Sequence, residues 1–208
     1  MMTIDFLLNR ASATLVIFLV SAAIAGLFTR SPVWRAVFGL AGILIALVIG
    51  ISTRSLLEWT TSAIERPSLP GLVVLIVLAI ATIGDWKPGA SAEFRFATLM
   101  LAIAGTILYP AAVGFLDYDT YVLGYSGYVL PLALATILAY AIFRRYLITA
   151  LVLNVAIAAF LLGAGHSVNL WDYVVDPVAW LIGMGTWIAL GVKRVMARFT
   201  PAKTLAAA

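Results

Sequence analysis

Cysteine is absent from this chain, which excludes disulfides, thiolate metal sites and thiol redox chemistry while leaving the compartment open. A single histidine, His166, excludes a haem or metal centre built on several imidazoles. Charge is scarce in proportion. Aspartate, glutamate, lysine and arginine make up 11% of the 208 residues, less than half of the roughly one quarter usual in soluble domains. So few charges could not cover a water-soluble core of this size, so most of the chain must have lipid as its solvent. What is present is apolar: 64% of residues are hydrophobic, and mean hydropathy is +1.11.

Further absences narrow the chemistry. The chain has no phosphate-cradling glycine loop with a lysine, no histidine pair at metal spacing and no carboxylate pair within one apolar run of the kind proton relays use. A net charge of +4 would point a soluble protein toward nucleic acid. In a polytopic chain, basic residues instead collect on cytoplasmic loops as topology signals, so nucleic acid is not an expected partner. No motif specifies a cofactor.

Apolar runs near the ~20 residues that cross ~30 Å of hydrocarbon recur along the sequence. They predict an all-α fold, a polytopic transmembrane helix bundle, in one domain over residues 1–199. Seven spans are expected, at about 11–28, 36–51, 71–84, 96–116, 121–143, 146–165 and 170–192. The third is short before Gly84-Asp85-Trp86-Lys87-Pro88-Gly89 closes it, and six spans result if that segment is re-entrant. Between 52 and 66, apolar Leu56, Trp59 and Ile64 alternate at helical spacing with Arg54, Glu58, Glu65 and Arg66, which predicts an interfacial amphipathic helix. The N-terminal stretch lacks a basic leader and a clear cleavage site and reads as a retained anchor. Residues 200–208 read as a frayed cytoplasmic tail.

Charge sets orientation. With seven spans, ten basic residues (Arg30, Arg35, Lys87, Arg95, Arg144, Arg145, Lys193, Arg194, Arg198, Lys203) fall inside and three (Arg10, Arg54, Arg66) outside. With six spans the division is eleven against two, so charge does not choose between them. The last four spans keep one orientation in both, with the C-terminus cytoplasmic. Arginine outnumbers lysine ten to three amid abundant Ala, Val, Leu and Gly, a composition that points to a bacterial cytoplasmic (inner) membrane.

The outer ends of those four spans carry the unusual polar residues: Asp117, Asp119, His166, Asp172 and Asp176. Convergence would make an acidic vestibule for a cation, an amine or a partner's basic loop; the bland alternative is that acids are ordinary on outer loops. Asp172 and Asp176 share a face if one helix carries both. Asp176 followed by Pro177 is also a strong N-cap signal. Aromatic residues recur at helical spacing, Tyr121, Tyr125 and Tyr128 on the fifth span and Tyr173, Trp180 and Trp187 on the last, as a candidate pocket for a lipid tail, quinone or pigment or as interfacial belts and packing. Asn154 stands alone in an apolar span as a candidate interhelical hydrogen bond.

Two local resemblances follow from these residues. Gly124-Tyr125-Ser126-Gly127 resembles the Gly-x-Ser-Gly of rhomboid proteases, which implies a Ser126/His166 dyad; His166, however, ends a helix running outward, where the rhomboid histidine lies on one running inward. Asp176-Pro-Val-Ala-Trp180 with Gly183 and Gly185 resembles the retinal-binding helix of microbial rhodopsins, but Trp180 stands where that family has its Schiff-base lysine, which excludes a covalent chromophore. Three functions therefore compete. The first is a non-catalytic multi-pass protein, an accessory, scaffold or assembly subunit of a larger membrane complex, with membrane lipid and other membrane subunits or itself as partners. The second is a transporter or channel using the outer acidic residues, and the third a membrane-embedded Ser/His hydrolase.

Overall fold

The computed structural model describes residues 4–64, 67–84, 86–115, 117–164 and 167–199. Over them the fold is all-α. The helices are α1 Ile4–Ala25, α2 Pro32–Val48, α3 Leu56–Ile64, α4 Leu69–Gly84, α5 Ala92–Ala112, α6 Val129–Phe143, α7 Leu147–Leu161, α8 Trp171–Val174 and α9 Pro177–Phe199. A two-residue hairpin, β1 Gly50–Ile51 with β2 Arg54–Ser55, links α2 to α3. 3-10 turns occupy Pro88–Ala90 and Thr120–Gly124. Three stretches, Phe6–Ala25, Ala92–Ala112 and Pro177–Arg198, are long and apolar enough to cross a membrane, and α2, α4, α6 and α7 are apolar but shorter.

Small residues let these helices approach closely, as packing in lipid requires. In the α1–α2 hairpin a Cβ at Gly39 would lie 2.5 Å from the Phe18 ring, and one at Gly42 would lie 2.0 Å from Ser21 Oγ. Between α5 and α9, Gly105 receives the Trp180 side chain, while Gly183 sits against the backbone of Thr98 and Ala102. That register makes α5 and α9 antiparallel. Asp176, at the start of α9, meets Ser68, just before α4, so these two helices begin at one end. Glu93 near the start of α5 accepts from Thr149 N near the start of α7 at 2.8 Å, so those begin at the other. One end of the bundle thus gathers Asp117, Asp119, Asp172 and Asp176, and the opposite end Arg35, Lys87, Arg95, Arg144, Arg145 and Lys193; we refer to them as the acidic and basic ends.

Several boundaries differ from the sequence expectation for identifiable reasons. Helix α1 begins well before residue 11, because Arg10 rides on the helix with its guanidinium over the Phe6 ring at 5.6 Å and does not interrupt it. The interfacial helix starts at Leu56 and not at 52: Ser52, at φ 62°, forms the hairpin turn first. Ser55 and Glu58 then start α3 as a reciprocal capping box, Ser55 N donating to Glu58 Oε2 at 2.7 Å and Glu58 N to Ser55 Oγ at 3.2 Å. The helix of the fifth expected span, α6, begins at Val129, since Gly127 at φ 92° turns the chain ahead of it. The last is split at Val175, which is extended (φ −144°, ψ 141°), and Pro177, which lacks an N–H and disfavours helix at the residue before it, begins a new helix. The third apolar segment is a single unbroken helix, α4, with Val74, Leu75, Ala79 and Ala81 buried. Residues 65–66 and the tail 200–208 lie outside the described residues.

Candidate functional site

Asp176 is the most buried acid at the acidic end, 4% exposed. Its Oδ1 accepts from Ala179 N at 2.8 Å, which caps α9 with Pro177 as the first helical residue. Its Oδ2 accepts from Ser68 N at 2.8 Å and from Ser68 Oγ at 2.7 Å. The same Ser68 hydroxyl accepts from Gly71 N at 3.1 Å and so caps α4. One carboxylate therefore closes two helix N-termini, α9 directly and α4 through Ser68, where both macrodipoles favour negative charge. Gly71 is required beneath it: a Cβ there would lie 2.1 Å from Asp176 Oδ2.

Asp172 belongs to a different constellation. Tyr121 Oη donates to both of its carboxylate oxygens, at 3.0 and 2.9 Å, and Ser167 Oγ donates to Oδ2. Asn169, wholly buried, ties the two loops together: Nδ2 donates to Tyr121 O at 3.0 Å, Oδ1 accepts from Trp171 N at 2.9 Å, and its own N–H donates to Ser167 Oγ at 3.0 Å. Leu170 N adds a bond to Gly124 O at 2.9 Å, and Trp171 Nε1 one to Thr120 O at 3.0 Å. Gly124 has no room for a side chain, since a Cβ would fall 1.8 Å from Asn169 Oδ1. Burial first, and then the bond to the Asp172 carboxylate, push the Tyr121 phenol above its ordinary range.

Of the five candidate polar residues, Asp119, Asp172 and Asp176 are each engaged in separate local hydrogen bonds. Asp119 caps the 3-10 turn, Oδ1 accepting from Tyr121 N at 2.9 Å. Asp172 faces the Tyr121 loop and Asp176 faces Ser68, because the break at Val175 turns them apart where an unbroken helix would have aligned them. His166 lies outside the described residues. Among the described residues no three His, Cys, Asp or Glu side chains come together as a metal site would need. Ser126 sits exposed in a turn.

The aromatic stripes are dispersed as well. Tyr121 lies in the 3-10 turn, Tyr125 just beyond it and Tyr128 at the cap of α6, so they share no helix face. Tyr121 and Tyr125 meet edge to face at 5.4 Å, while Tyr128 is 82% exposed. Tyr173, on α8, packs its ring on Phe160 and donates from Oη to Ser167 O at 3.1 Å. Trp180 stacks on Tyr109 at 5.0 Å and donates to Thr106 Oγ1 at 3.1 Å, joining α9 to α5. Trp187 holds its Nε1 buried without a hydrogen-bond partner. Asn154 donates to Ala150 O at 2.9 Å within its own helix and, among the described residues, makes no interhelical bond.

A real cavity lies elsewhere. Helix α5 stands apart from α4, α6 and α7, and the space between them, about 240 Å³, is lined by side chains such as Val74, Leu101, Ile137 and Leu153 and bounded at the acidic end by Trp171 and Val174 of α8. The hydrogen-bonded loops fix Trp171 as its roof. Sequence reasoning missed Ser68, Gly71, Glu93, Ser167, Asn169 and Trp171; the Asn-x-Trp run and the Ser-Leu-Pro start of α4 were cap signals that could have marked two of these positions. Compared with known proteins, the chain matches no family model, no curated protein and no solved structure.

Proposed function

We propose that this chain is a non-catalytic, seven-pass integral membrane protein serving as an accessory, scaffold or assembly subunit of a larger membrane complex, in a bacterial cytoplasmic membrane with its C-terminus inside. The observation that carries this reading is the use made of Asp176. The acid best placed for chemistry is held by three hydrogen bonds as a joint between α4 and α9, a mechanical role. Supporting it, large apolar side chains remain outward along whole helix faces, as with Val33, Val37, Leu40, Leu44 and Ile45 on α2. Seven crossings are supported by the unbroken run of α4 from the acidic end toward the basic end. Helices α6 and α7, 15 residues each, reach about 22 Å, and protein-packed turns extend them toward the ~30 Å core.

The test is extraction of the tagged native protein in mild detergent, followed by size analysis and mass spectrometry. A stoichiometric membrane partner is expected, and a chain that runs alone would overturn the subunit reading. The transporter reading makes a different prediction for one variant: Asp176→Asn should abolish flux with stability unchanged, whereas the capping geometry predicts a destabilised fold.

A further inference from the structure

The cavity beneath Trp171 is a gap held open at both ends. At the basic end, Phe96 of α5 packs its ring on Tyr140 at 5.1 Å and on Tyr146 at 5.4 Å, and Glu93 accepts from Thr149 N. At the acidic end, Thr120 Oγ1 donates to Ile107 O of α5 at 2.8 Å, while Thr120 O holds the Trp171 indole. With α5 tied to its neighbours at the two ends, the helices cannot close on the space between, as close packing would otherwise make them do. That space runs along α5 from Ala97 to Ile107, about 15 Å at ~1.5 Å per residue, which is half the ~30 Å hydrocarbon thickness. A volume of about 240 Å³ spread over that length makes a slot roughly 4–5 Å across, the width of one hydrocarbon chain at carbon contact distances of ~4 Å. Among its walls, Ile103 and Ile107 of α5 and Ala133 of α6 are also exposed on the outside of the bundle, so the slot opens sideways.

We infer that this slot holds one acyl chain of a bilayer phospholipid, entered from the side between α5 and α6. The chemistry of the lining selects the occupant. Among the described residues that line it, only Thr149 and Trp171 carry a polar side-chain atom, and the Trp171 indole N–H is taken by Thr120 O. A quinone, a pigment or a lipid headgroup would bring in polar atoms with the Thr149 hydroxyl as the one side-chain group to meet them, and polar groups buried without partners are costly. A partner's helix, about 10 Å across, is too wide. A methylene chain leaves nothing unsatisfied, and apolar cavities of this kind exclude water and accept apolar guests. In a bilayer the exposed Ile103 and Ile107 at the mouth face phospholipid chains, whereas an amphiphile arriving from water meets the two closed ends. The inference rests on the membrane-embedded part of the proposed function and not on the existence of a partner subunit.

Photolabelling reads the slot directly. The purified full chain is reconstituted in dioleoyl phosphatidylcholine vesicles doped with a phosphatidylcholine that carries a diazirine midway along one acyl chain, irradiated, and its adducts mapped by mass spectrometry. Adducts should appear on Leu101 and Leu153, which line the slot and are buried from the outer surface, as well as on Leu44 of the outward face of α2. Ala133→Trp, at the exposed mouth, should cut the interior adducts about tenfold relative to those on Leu44, the effect of displacing roughly two methylenes from the slot. Ala135→Trp, exposed on the same helix but outside the lining, should leave them unchanged. Interior adducts that are absent, or reduced equally by both variants, would overturn the site. So would interior labelling by a free diazirine fatty acid with none by the phospholipid, because no bilayer chain would then enter. Alkaline carbonate extraction of native membranes separates these failures from failure of the membrane reading: release of the chain sinks both, and retention leaves the labelling result to stand or fall alone.

Discussion

At the scale of single residues, the acidic end is built from side chains that satisfy backbone, and Asp176 is the test case. In Asp176→Asn the amide can keep the bond from Ala179 N but presents a donor to Ser68 N–H, leaving a buried donor unpaired at a cost of about 1–3 kcal/mol. Thermal unfolding in detergent should show that loss, with a smaller one, about 1 kcal/mol, for Ser68→Ala, which removes the α4 cap. An unchanged midpoint in Asp176→Asn would remove the joint from the account. Tyr121 gives a pH signature. Its phenol holds its proton above the ordinary value near 10, so its contribution to stability is complete below that pH and lost as pH rises through the folded value. Absorbance titration should show a late-ionising tyrosine component, and Tyr121→Phe should reduce its amplitude. Asp176 as a cap was legible, because Asp-Pro before an apolar run has a local cause. Its second partner, Ser68, was not: a bond between residues 68 and 176 depends on how helices pack, which no local spacing encodes.

At the scale of elements, close approach by glycine decides which helices pair. Gly183 and Gly185 lie on the same helix, yet a Cβ at Gly183 would fall 2.7 Å from Thr98 O while one at Gly185 meets nothing within 4 Å. Gly183→Ala should therefore destabilise by about 1–3 kcal/mol through overpacking against backbone. Gly185→Ala should stabilise by about 0.5–1 kcal/mol through helix propensity. Equal effects in thermal unfolding would contradict the α5–α9 register. Helix α3 has its own pH dependence. The Ser55 backbone bond, then the Ser55 hydroxyl, holds the Glu58 carboxyl below its ordinary range, so the cap is intact above pH about 4.5 and is lost as pH falls through the lower folded value. Amide exchange in α3 should accelerate there, and Glu58→Gln should flatten the change. Helix existence was read correctly from apolar runs because lipid demands them. Boundaries failed at 121–128 and 170–176, where glycine turns and Pro177 break runs that remain apolar throughout, and hydropathy cannot register a break that keeps its composition.

For the whole molecule, the segregation of charge into an acidic and a basic end is the feature that composition foretold and the fold reproduces, since antiparallel packing brings loops of one charge together. What composition could not foretell is which apolar faces meet: the outward face of α2 and the inward faces around the 240 Å³ cavity are alike in residue type. The central claim is that seven helices cross the membrane with α3 on the acidic side, and the absence of cysteine makes it directly measurable. Single cysteines at Ser62 on α3, at Ser126 in the acidic-end turn and at Lys193 near the basic end can each be probed with a membrane-impermeant maleimide on intact cells. The account predicts that Ser62→Cys labels at once, together with Ser126→Cys, while Lys193→Cys labels only after permeabilisation. Labelling of Ser62→Cys only after permeabilisation, in step with Lys193→Cys, would place α3 on the basic side and contradict the seven-span architecture.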